Sequence, residues 1–75
     1  MIKSGQYYLM GDYLLEILSR YRNRRAFENE LYFKCKSFAT GSIFEISEGT
    51  MKYMLNTKQL VRLNKEQTMV AMCLL

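Results

Sequence analysis

The chain has 75 residues, 49% of them hydrophobic, and a formal net charge of +4, which makes one domain with room for one small core. With no histidine and only two cysteines, Cys35 and Cys73, it has too few ligands for a structural zinc site, and neither a Cys–His pair nor a Ser–His–acid triad can be assembled. Its longest wholly apolar run, Met69 to Leu75, is far short of the roughly 20 residues with which a helix crosses a bilayer.

The N-terminal third fits two templates. Gln6 to Met10, Gly11-Asp12 and then Tyr13 onward has the form of a two-residue hairpin with glycine at its first central position. The same stretch offers Asp12 as an N-cap for a helix over 12–22, with Leu14, Leu15, Ile17, Leu18 and Tyr21 as its apolar stripe. The hairpin is favoured, because the strands that follow need more sheet to close a core. Leu31 to Phe38 is the clearest element. Leu31, Phe33, Cys35 and Ser37 fall on one face and Tyr32, Lys34, Lys36 and Phe38 on the other, the period of a half-buried strand.

A turn over Ala39-Thr40-Gly41-Ser42 leads to a strand from Ile43 to Ser47, and Ser47-Glu48-Gly49-Thr50 reads as a further turn. Met51 to Leu55 and Leu60 to Leu63 then read as short strands broken at Asn56-Thr57-Lys58. The tail, Asn64 to Leu75, is open between strand and helix. Asn64 and Gln67 have the spacing of a capping box. In either form the apolar run from Met69 to Leu75 needs covering, by the core or by a second copy in a homodimer.

The expected fold is mainly β: a small five-stranded barrel or a twisted antiparallel sheet with room for one short helix. The layout of Gly11-Asp12 before a long second strand, with Leu60-Val61-Arg62-Leu63 as a closing strand, resembles the small SH3-like barrels. The resemblance covers roughly residues 5 to 64 and implies a fold only.

The positive charge is unevenly placed. Arg20, Arg22, Arg24, Arg25, Lys34 and Lys36 stand against only Glu28 and Glu30, and this stretch carries the whole net charge. Elsewhere five basic residues meet five acids. Arginine suits bidentate contacts to phosphate, and Tyr32, Lys34, Lys36 and Phe38 would set rings and cations on one strand face, as single-strand binders do. The plainer reading of the same residues is a solvated loop beside an ordinary exposed strand. Glu28 and Glu30, the only acids two apart, read as solvated groups that offset the arginines rather than as an acid–base pair. The glycines match neither a phosphate-binding loop nor a dinucleotide fingerprint.

These features lead to the expectation of a non-enzymatic binding protein, without metal or cofactor. The candidate site is Arg20, Arg22, Arg24, Arg25, Tyr32, Lys34, Lys36 and Phe38. The expected partner is single-stranded RNA or DNA, with a host protein of acidic surface as the alternative and no membrane. A chain without proline, tryptophan or histidine but rich in Lys, Asn, Tyr, Phe and Met fits AT-rich coding, as in a low-GC bacterium, a phage or a mobile element, and one of the latter two is expected. No signal peptide is evident and disulfide-built domains carry more cysteines, so reduced thiols in the cytoplasm are expected.

Overall fold

In the computed structural model residues 2–23 and 30–74 are described, as five strands and two helices. The chain runs β1 (Tyr7–Met10), β2 (Tyr13–Asn23), β3 (Glu30–Ser37), β4 (Ile43–Ser47), α1 (Glu48–Asn56), β5 (Leu60–Leu63) and α2 (Lys65–Leu74). The strands form a single antiparallel sheet in the order β4-β3-β2-β1-β5.

The Gly11-Asp12 hairpin forms, and the helix over 12–22 does not. Met10 pairs with Tyr13 across it, and Gly11 sits at φ +60°, a conformation that glycine adopts without the penalty of a Cβ. A β-strand over this segment can be paired on both sides, by β1 and by β3, whereas a helix would have left β1 and β3 without a common neighbour. β3 and β4 fall within a residue of their sequence-derived limits, and the faces of β3 follow the expected alternation: Phe33, Cys35 and Ser37 are buried and Leu31 half-buried, while Lys34 and Lys36 are exposed.

The stretch from Glu48 to Leu55 differs from expectation, because it is neither turn nor strand but part of the helix α1. Ser47 is its N-cap, and the Ser47 hydroxyl accepts the Thr50 N–H at 3.2 Å, satisfying one of the donors a helix start leaves open. Met51, Met54 and Leu55 share one face at helical spacing. Met51 is fully buried, and the other two pack against the core. Glu30 lies alongside: a methyl group on Gly49 would come within 3.3 Å of its Oε1, so glycine lets an anion approach the positive end of the helix. The helix closes at Thr57, whose N–H donates to Tyr53 O at 3.0 Å, and Lys58 follows at φ +62°.

This helix is the reason the sheet is not a barrel. Closing one would require β4 and β5 to meet, and the segment between them forms α1, which covers one face of an open sheet instead. Beneath it Ile2, Tyr8, Leu15, Ile17, Phe33, Cys35, Met51 and Leu60 make the core. The tail is helical. Asn64 N–H donates to Gln67 Oε1 at 2.9 Å, and Gln67 N–H donates to Asn64 Oδ1 at 2.8 Å, the reciprocal pair of a capping box led by asparagine. Along α2 only Thr68 is buried; Met69, Val70 and Leu74 are exposed, Leu74 by 80%. Among the described residues no helix is long and apolar enough to cross a membrane.

Candidate functional site

The β2–β3 ladder decides how the basic residues are distributed. Its register runs Ile17 with Cys35, then Ser19 with Lys34, leaving Leu18 as an extra residue in a bulge. Directly opposed residues of antiparallel strands share a face. The bulge therefore reverses the alternation of β2. Without it Arg20 and Arg22 would join Lys34 and Lys36. With it Arg20 lies opposite Phe33 and Arg22 opposite Leu31, on the side that α1 covers, and Tyr21 moves to the outer side opposite Tyr32.

The eight candidate residues are thus split. Tyr32, Lys34 and Lys36 stay together on the outer face. Phe38 follows one residue beyond β3, its N–H donating to Leu14 O at 2.9 Å and its ring part-exposed. Arg20 and Arg22 are exposed on the α1 side, while Arg24, Arg25 and also Glu28 lie outside the described residues.

The outer face is electrically balanced. Lys34 is directly opposed by Glu45 and Lys36 by Glu16. Tyr21 and Tyr32 stack, with ring centroids 5.9 Å apart and planes inclined by 19°, and the Tyr21 hydroxyl donates to Glu45 Oε2. Glu16 also accepts from Tyr7, whose pKa is raised first by burial and then by the Glu16 charge. Tyr21 is a member of this face that alternation along β2 could not reveal, since nothing in the residue type of Leu18 marks it as bulged.

On the other side a cavity of about 400 Å³ opens between the sheet and α1. Arg20 of β2, Arg62 of β5 and Lys52 of α1 line it with one carboxylate, Glu48, and with Ile2, Tyr8, Phe33 and Leu55 as its apolar walls. Arg62 stands opposite Tyr8. Burial raises the pKa of Tyr8 and the Arg62 cation partly offsets this; its hydroxyl donates to Gln6 Oε1 at 2.9 Å. Lys52 Nζ and Glu48 Oε1 are 3.5 Å apart at the exposed rim, a geometry that contributes little to stability. Arg62 and Lys52 do not stand out in the sequence, because the balance of charge outside residues 20 to 36 hides their convergence in space.

A second, apolar cavity of about 310 Å³ lies at the opposite end of the sheet, among Met10, Tyr13, Leu15 and Phe44. Ser37 lines it, and its hydroxyl is buried without a hydrogen-bond partner. The two thiols differ sharply. Cys73 is exposed, whereas Cys35 is buried and free, its S–H directed at Phe33 O at 3.7 Å. Burial pushes the Cys35 pKa from 9.0 to about 11, so this thiol stays protonated and is a poor nucleophile at neutral pH. Among the described residues no three His, Cys, Asp or Glu side chains cluster as a metal site requires.

No protein-family model matches the chain, and no curated protein or solved structure matches it at a significant level.

Proposed function

We propose that this chain is a non-enzymatic binding protein that holds single-stranded RNA or DNA along the far end of the β2–β3 ribbon. The observation that carries the reading is the sidedness of that ribbon. Arg20 and Arg22 stand on one side and the Tyr21–Tyr32 stack on the other, so a strand crossing its edge meets guanidinium groups for phosphates and a ring for a base. On this side Ile17 still bonds to Gln6 and Gly5, but beyond it no described strand other than β3 pairs with β2, which leaves this edge open to an extended ligand. The composition fits an origin in a phage or mobile element, and the free thiols fit a cytoplasmic setting.

Fluorescence anisotropy with a labelled mixed-sequence oligonucleotide tests the proposal. Tyr32→Ala should weaken binding by about 1–3 kcal/mol. Replacing Arg20 and Arg22 together with glutamine should flatten the salt dependence by about 0.7 in logarithmic slope for each phosphate no longer neutralised. Binding that is unaffected by either change would falsify the reading.

One observation favours a second reading, in which the chain blocks a host enzyme. The balanced outer face, with Phe38 and Ile43 exposed around Lys36, suits a protein partner better than a polyanion. The exposed Met69, Val70 and Leu74 of α2 extend the proposal to a homodimer. A mass measurement that gives a monomer at high concentration would remove that extension.

A further inference from the structure

The cavity between α1 and the sheet holds more positive charge than the fold uses. Glu48 is engaged by Lys52 across 3.5 Å, and among the described residues no carboxylate is paired with Arg20 or Arg62. The two guanidinium groups come from β2 and β5, the strands on either side of β1, and Tyr8 of β1 and Phe33 of β3 form the wall behind them. Both aromatic side chains are almost wholly buried. This wall keeps water from one side of the arginines and strengthens their attraction for an anion. The volume of about 400 Å³ falls within the range of small-molecule sites.

We infer that this cavity is a phosphate-monoester site, with Arg20 and Arg62 as the phosphate ligands. Once Glu48 offsets Lys52, two positive charges remain. A terminal phosphate monoester carries about two negative charges at neutral pH, whereas the internal phosphodiester of a nucleic-acid strand carries one. The charge match therefore selects a chain end or a free nucleotide over the middle of a strand. The end-binding form rests on the proposed single-strand function; the free-nucleotide form does not.

The test uses the full chain and two kinds of probe. Anisotropy compares labelled hexathymidine bearing a 5′-phosphate, a 3′-phosphate or neither, and nuclear magnetic resonance follows a titration with AMP. Binding about tenfold tighter for one phosphorylated end is expected, and R20Q or R62Q should each abolish that preference. K34Q, on the opposite face, should leave the ratio between phosphorylated and unphosphorylated ends unchanged, whatever it does to overall affinity. AMP should shift the Arg62 and Tyr8 signals, and E48Q should tighten AMP binding severalfold, a gain of function that a misfolded variant cannot imitate. Equal affinity for all three oligonucleotides, with no AMP shift, overturns the site and leaves single-strand binding standing. AMP binding without any oligonucleotide binding supports the site and removes the strand-binding function. A preference that survives both R20Q and R62Q also overturns it.

Discussion

Raising the pH should weaken this protein measurably through Cys35. Cys35 is 0% exposed, set between Ile17 of β2 and Phe44 of β4 in the ladder, and its pKa is pushed from 9.0 to about 11. The folded state thus keeps its proton in a range where the unfolded chain has lost it. Stability from this group is intact below pH 9 and falls as pH rises toward 11. Two pH units correspond to about 2.7 kcal/mol in full, and about 1.9 kcal/mol is already lost by about pH 10.5. A chain of 75 residues has a total stability of about 4–11 kcal/mol, so the loss is a large fraction. Urea unfolding near pH 8 and near pH 10.5, for the native chain and for Cys35→Ala, isolates the effect. Ionisation of lysines and of Tyr7 and Tyr8, whose pKa values are also raised, is common to both proteins and cancels in the difference. The native chain should lose about 2 kcal/mol more than the variant. Equal losses would refute the account of a buried, protonated thiol.

Two further outcomes bear on the local structure. Deleting Leu18 removes the bulged residue without changing any pair, since Ile17 would still face Cys35 and Ser19 would still face Lys34. The loss of a half-buried leucine and the relief of one ordered residue are each about 1 kcal/mol, so the melting temperature should stay within several degrees of the native value. A collapse like that from deleting the fully buried Leu15 would show that the bulge is not where the register places it. Lys58 holds φ +62° just past the end of α1. Lys58→Gly should raise stability by about 0.5–1 kcal/mol, read as a higher urea midpoint, and a lower one would contradict that strain.

The strands were legible in the sequence where alternation and turn chemistry agreed. Phe33, Cys35 and Ser37 alternate with charged residues ahead of a turn, and Gly11-Asp12 can serve a two-residue hairpin, so β1, β3 and β4 could be read with nearly correct limits, whereas β2 had only a start at Tyr13 and a helix over 12–22 as its rival. Met51 to Leu55 failed for a physical reason. Met51, Tyr53 and Leu55 satisfy a period of two, while Met51, Met54 and Leu55 satisfy a helical one. The deciding signal was Ser47, which caps a helix as readily as it opens a turn. The candidate site was only partly legible. Residue types showed that Arg20 and Arg22 belong to a basic stretch, but the side of the sheet on which they stand depends on one surplus residue. Arg62 and Lys52 lie outside that stretch and line the same cavity as Arg20 only because α1 packs over the sheet.

The reversal at Leu18 also gives the molecule a direction. Lys34 and Lys36 are cancelled on the outer face by Glu45 and Glu16, while Arg20, Arg22, Arg62 and Lys52 outnumber Glu48 and Glu30 on the side that α1 covers. The charge is therefore arranged as a dipole across the sheet's thickness. In the field of a polyanion such a body turns before it touches, so encounters should begin with the α1 side foremost and collisions on the outer face should be the rarer ones. A single surplus leucine thus helps to set the orientation in which this protein first meets its ligand.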